Sequence, residues 1–234
     1  MANATTTLPV WETMTAAWEK VGGAKGSLWG GIIIILLVAL GFGILQAILG
    51  MVPVLKPLIG LIAQIVIIIL QAGLVYIGIR RAFDLPFSYD LVFRGLDMNI
   101  GWRLIAAYIL QTLIIFIPML CAFGIYMLSL RLESNLIAAV GYIVFGIIGV
   151  ILFIRMLLVI PFVIDKLVGP VQAIKLSFQA TRGHFWSLLI ILILTWIFLA
   201  ICAIPFGIGL IWGFPFAFIL TGVIYKRLST AIRA

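Results

Sequence analysis

The sequence predicts an all-helical polytopic membrane bundle: six transmembrane helices, with amphipathic helices lying at the interface on the cytoplasmic side. Three observations predict it. Of the 234 residues, 65% are hydrophobic and only 9% are charged, where a soluble domain carries about 25% charged residues. That leaves too few polar side chains to cover a water-facing surface, so lipid is the solvent for most of the chain. Second, the chain holds six apolar runs, each long enough to cross about 30 Å of hydrocarbon at 1.5 Å per helical residue. Third, the cations gather in alternate connections between those runs, the pattern that orients membrane helices.

The first run is Leu28 to Leu49, after which Gly50, Pro53 and Pro57 break the helix. The second, Leu58 to Ile79, stops at Arg80 and Arg81. A polar stretch from Asp84 to Arg103 precedes the third, Leu104 to Leu128. A tight loop with Arg131, Glu133 and Asn135 leads to the fourth, which begins near Leu136 and reaches at least Phe153. Asp165 to Gly183 is polar again; the fifth run is Phe185 to Ala203. Pro205, Gly207 and Gly209 make a turn, and the sixth run ends at Tyr225, Lys226 and Arg227. No cleavable signal is expected, because Met1 to Thr7 carries no charged side chain and the first apolar run is too long for a signal core.

One set of segments holds Lys20 and Lys25; Arg80, Arg81, Arg94 and Arg103; Lys166, Lys175 and Arg182; and Lys226, Arg227 and Arg233. The opposite connections hold only Lys56 and Arg131, and Arg155 lies within an apolar run. This bias predicts an even number of spans with both termini cytoplasmic. It also accounts for the net charge of +8 without nucleic acid, whose ligands gather cations on one continuous face.

Before the first span, Leu8 to Val21 places Trp11, Met14, Trp18 and Val21 on one helical face. Pro9 suits a first turn. This predicts a helix lying among the headgroups, with a soluble partner-binding helix as the alternative. The pattern returns: Trp18, Phe93 and Phe178 each precede a tryptophan, Trp29, Trp102 or Trp186, that opens a span. With Trp11 and Trp18 these are the expected interfacial anchors. Residues 1–234 then form one integral membrane domain, with candidate parallel repeats over 8–79, 86–164 and 170–227.

Reactive chemistry is scarce. His184 is the only histidine, and no Asp or Glu falls within a span, so neither a metal site nor an acid–base pair assembles and no cofactor is expected. Cys121 and Cys202 read as thiols in apolar surroundings, with a bridge as the alternative. Arg155 has two readings: the end of span four, its guanidinium reaching for the headgroups, or a charge inside a long kinked helix, with Asp165 or a carbonyl as partner. Arg182 and His184, at a span entry, are candidate headgroup contacts. Gln64 and Gln71, seven residues apart on one face, and Gln111 on the next span line a cavity or bond between helices. Gly209 and Gly213 predict close helix packing.

The stretch Pro161 to Lys166, then Gly169-Pro170 with Ala173 and Ser177, then Thr181-Arg182-Gly183 with Trp186 resembles the C-terminal half of several six-span prokaryotic membrane families. These include the YciC-like inner-membrane proteins and the membrane domain joined to some glycerophosphodiester phosphodiesterases. The resemblance covers residues 161–225. It implies a fold and a prokaryotic cytoplasmic (inner) membrane; it implies no activity, and the phosphodiesterase catalytic domain is absent. The expected function is therefore non-enzymatic: association with membrane lipids, anionic headgroups on the cytoplasmic side above all, with a membrane protein complex, or with a second copy. The alternatives are a small carrier or lipid-handling transporter, and a membrane enzyme acting on headgroups near Asp165, Arg182 and His184.

Overall fold

Helix breakers cut the chain where its apolar runs end, and the computed structural model, which describes residues 8–204 and 206–231, is helical between them. In chain order the helices are α1 (Val10–Glu19), α2 (Lys25–Leu49), α3 (Leu55–Ala82), a 3-10 helix (Tyr89–Leu96), α4 (Met98–Arg131), α5 (Asn135–Arg155), α6 (Val159–Lys166), α7 (Pro170–Ala180), α8 (Phe185–Ala203) and α9 (Leu210–Ala231). The described residues contain no strand. Six helical segments are long and apolar enough to cross a membrane: α2, α3, α4, α5 with α6, α8 and α9. A short helix precedes each long pair: α1 before α2–α3, the 3-10 helix before α4–α5, α7 before α8–α9.

Local chemistry sets several boundaries. Asp97 starts α4 by accepting the backbone N–H of Asn99 at 3.0 Å, which satisfies one of the orphan donors of a first turn. Pro170 opens α7, where its missing N–H costs nothing. The 3-10 helix buries Val92 and Gly95, since at three residues per turn positions three apart stand directly in line. Arg80 and Arg81 close α3, against the negative end of its dipole.

α3 is the centre of the packing. A Cβ on Gly73 would stand 2.1 Å from the Val92 carbonyl oxygen, one on Gly78 2.2 Å from that of Phe218, and one on Gly222 2.3 Å from that of Gly78. The backbones of α3, the 3-10 helix and α9 therefore touch, which only glycine allows. Trp29 Nε1 donates to the Ile211 carbonyl at 2.9 Å, and the Lys25 ammonium lies 4.7 Å from the Trp212 ring. The start of α9 thus rests beside the start of α2, while Lys226 near its end donates to the Ala82 carbonyl at 2.8 Å. α9 packs along the last turns of α3, Gly222 on Gly78 and Lys226 on Ala82, while its start reaches the first turns of α2.

Two elements add detail to the sequence reading. α1 buries Thr13 and Ala17, followed by Val21 and Ala24, and leaves Trp11 77% exposed. Small residues let α1 approach its neighbours closely, so packing selects that face and turns Trp11 outward. At Arg155 the helix ends: Met156 to Leu158 form a turn, and α6 starts afresh at Val159.

Candidate functional site

A cavity of about 490 Å³ lies between α2, α3, α4, α9 and the α5–α6 turn. Its wall is mostly apolar, from Ile32 and Leu36 through Leu157 to Phe214, with Gln71, Tyr108 and Thr221 as polar interruptions. Gln71, which lines this space, is exposed, while Leu70 and Ala72 beside it are buried. Leu36, Tyr108 and Phe214 are themselves exposed, so the cavity opens sideways. Of the three glutamines read as candidate lining, the structure places only Gln71 here. Gln64 faces outward, and the Gln111 side-chain oxygen is buried without a partner elsewhere on α4.

The same α3, α6 and α9 form a second, polar cleft of about 230 Å³, lined by Tyr76, Arg80, Asp165, Lys166, Ser229 and Thr230 among others. Phe162 of α6 and Tyr225 of α9 are both fully buried, their rings 5.1 Å apart. Phe162 follows the cavity residue Pro161 and precedes the cleft residue Asp165; Tyr225 falls between cavity Thr221 and cleft Ser229. The Tyr225 hydroxyl donates to the Asp165 carboxylate at 2.6 Å. The pair thus joins α6 to α9 beside Asp165, which lines the cleft. Tyr225 carried no signal in the sequence, because a tyrosine beside Lys226 and Arg227 reads as an interface residue.

Arg155 and Arg182 share a third space, a groove of about 410 Å³ whose wall includes Ile151, Leu152 and Phe178 and no carboxylate. The Ser177 hydroxyl bridges the break above it, donating to the Arg155 carbonyl at 2.6 Å and accepting the Leu158 N–H at 3.2 Å. The Arg155 guanidinium in turn reaches the Phe178 carbonyl at 3.4 Å. Of the four candidate contact residues, then, Arg155 and Arg182 come together, Asp165 belongs to the cleft, and His184 sits at the start of α8. There its Nδ1 accepts the Leu8 N–H at 3.2 Å, and burial pulls the imidazole below its ordinary pKa.

The cationic segments, far apart in sequence, are tied to one another. Lys20 pairs with Asp84, Lys226 reaches the same carboxylate at 3.8 Å, and Arg227 meets Glu12 at 3.8 Å. Arg81 donates to the Lys20 carbonyl at 2.9 Å, and Arg103 donates to the Leu167 carbonyl. The hydrogen bond from Lys20 holds the Asp84 carboxyl below its ordinary pKa, despite some opposing desolvation. Trp18 sets its ring edge against Phe198 and Phe216, and Trp102 lies beside the Arg103 guanidinium. Trp186, like Trp11, is exposed. Cys121 and Cys202 are both free thiols, and the described residues hold no group of three His, Cys, Asp or Glu able to bind a metal. Gly209 and Gly213 pack on Cys202 and Leu199 of α8. The chain matches no family model, no curated protein and no solved structure.

Proposed function

We propose that the protein is a multi-pass protein of a prokaryotic cytoplasmic membrane that works by holding lipid, with its basic end and both termini on the cytoplasmic side. The observation that carries this is the side-opening apolar cavity of about 490 Å³, within the range of about 300–1,000 Å³ usual for ligand pockets. A wall of Ile, Leu and Phe with three spaced polar groups suits an acyl chain better than a polar solute. The connected cations at one end suit anionic headgroups, at about 1 kcal/mol per Lys or Arg near such a surface.

The test is the lipid that purifies with the protein. Wild type in mild detergent should retain phospholipid, seen by native mass spectrometry and extraction. Gln71→Phe, which fills the cavity from its rim, should lose that lipid several-fold at unchanged thermal stability. Equal retention by both would defeat the reading, and a protein partner or second copy recovered in place of lipid would redirect it. The Phe162–Tyr225 pair favours a second reading, a small carrier: in chain order it falls between residues of the apolar cavity and residues of the polar cleft, where a gate would stand. Proteoliposomes containing labelled phospholipid separate the two: a carrier moves the label between leaflets, and a protein that only holds lipid does not.

A further inference from the structure

We propose that the α8–α9 hairpin does not cross the bilayer: it enters and leaves on the side of α1, and its tip lies among the acyl chains of that leaflet. Four independent features converge on this. First, the tip carries nothing that water would hold. From Ala203 to Trp212 there is no charged, amide or hydroxyl side chain, and Ile204, Phe206 and Ile208 are 79%, 102% and 59% exposed. The other two turns are marked by Lys56 and by Arg131, Glu133, Ser134 and Asn135.

Second, most of the described backbone N–H groups of the tip bond within it, as hydrocarbon favours. Phe206 N–H donates to the Ile204 carbonyl at 2.8 Å, Gly207 to Ala203 at 3.0 Å, Leu210 to Gly207 at 2.9 Å and Trp212 to Gly209 at 3.0 Å. Phe206 and Gly207 both adopt positive φ, 50° and 77°, which reverses the chain within a few residues. Gly209 and Gly213 then let α9 fold back onto α8 at Cys202.

Third, the start of α9 is at the wrong depth for a span. In an upright hairpin Ile211 and Trp212 would lie across the membrane from the first turn of α2. Instead they touch it, through Trp29 and Lys25. Fourth, α1 runs beside α8. Leu8 meets His184, and Trp18 meets Phe198, about 20 Å further along α8 at 1.5 Å per residue. Were α8 upright, α1 would carry Glu12, Glu19 and Lys20 down into hydrocarbon, where charge is strongly disfavoured. A shallow hairpin removes that conflict. It also brings Trp212 to the level of Lys25 and Trp29, while the other two turns hold no tryptophan.

The inference rests on the multi-pass membrane reading and is independent of what fills the cavity. Its test uses single cysteines in a Cys121→Ser, Cys202→Ser background: Val52→Cys and Glu133→Cys in the other turns, Thr230→Cys at the basic end, and Ile208→Cys at the tip, with Phe206→Cys as a second tip position. A membrane-impermeant maleimide is added to either side of proteoliposomes. Thr230→Cys should label from one side and Val52→Cys and Glu133→Cys from the other. The tip positions should label from neither side until detergent is added, and a nitroxide there should be relaxed by oxygen but not by a water-soluble nickel chelate. Tip labelling from the same side as Val52→Cys and Glu133→Cys overturns the hairpin and leaves the multi-pass reading standing. Labelling of all five positions from a single side overturns both.

Discussion

Ser177 is fully buried, and its one hydroxyl serves both sides of the break between α5 and α6. A helix end leaves carbonyls and N–H groups without partners, and a break among apolar side chains finds no water to supply them. The Ala173-to-Ser177 spacing, noticed in the sequence only through a family resemblance, thus has a physical reason: both residues are buried, and the serine splints a turn about twenty residues earlier. Ser177→Ala should lower stability by about 1–3 kcal/mol, the cost of leaving buried polar groups unpaired. Thermal unfolding in detergent measures it, and an unchanged midpoint would remove the splint from the account. His184 makes a different prediction. Its neutral Nδ1 accepts the Leu8 N–H, and burial lowers its pKa below 6.5. The unfolded chain therefore takes up the proton first as pH falls. The stabilisation is complete above the ordinary imidazole value and is lost as pH drops through that range toward the lowered one. Hydrogen exchange over residues 8–12, corrected for intrinsic rate, should be slower at pH 7.5 than at pH 5.5, and His184→Phe should abolish the difference. Equal protection at both pH values in the wild type would show that the imidazole does not hold α1.

The contact of α3 with α9 is made where Gly78 and Gly222 face each other's backbones. Gly78→Ala or Gly222→Ala sets a methyl group within 2.3 Å of a carbonyl oxygen, and no flexible side chain is there to yield. Each should destabilise by more than the 1–3 kcal/mol or so typical of overpacking. Gly146 has nothing within 4 Å, so Gly146→Ala should be neutral or gain up to about 1 kcal/mol from helix propensity. A thermal-shift series on the three variants checks the order, and equal effects would overturn the close crossing. The same elements show what could be read beforehand. Apolar runs and the breakers Gly50 and Pro53 located the long helices, because length and composition are local properties. The crossing at Gly78 and Gly222 was not legible: it joins residues 144 apart, and a glycine inside an apolar run does not name its partner. Nor was the face of α1 that packs on the bundle, since Thr13 and Ala17 are small residues that a hydrophobic pattern does not mark. Of the site, Gln71 lines the cavity, while Gln64 and Gln111, which carry the same signal of an amide in an apolar run, do not. Tyr225 was missed because its role depends on Phe162 and Asp165 arriving from another helix.

At the scale of the whole molecule, the charge bias seen in sequence becomes a connected layer of contacts, with Asp84 between Lys20 and Lys226 and Glu12 beside Arg227. Two forces therefore hold α1 to the bundle: these ion pairs, and the burial of Thr13, Ala17, Val21 and Ala24. They differ in how water treats them. Asp84 is exposed, and its pairing is screened by solvent and salt. Its lowered pKa means that whatever it contributes is present at neutral pH and disappears only as pH falls through that lowered value. Ala17 is fully buried on the face of α1 that meets α8 and α9, and no solvent competes there. Packing should therefore dominate. Asp84→Asn at neutral pH should move the unfolding midpoint little, and raising salt to 1 M should matter as little in the wild type. Ala17→Leu should cost about 1–3 kcal/mol by overpacking, and it should also speed proteolysis of the chain ahead of α2 as α1 lifts away. If Asp84→Asn or high salt proves the more damaging, α1 is held by charge, and the structure would then tie the anchoring of α1 to ionic strength instead of to shape.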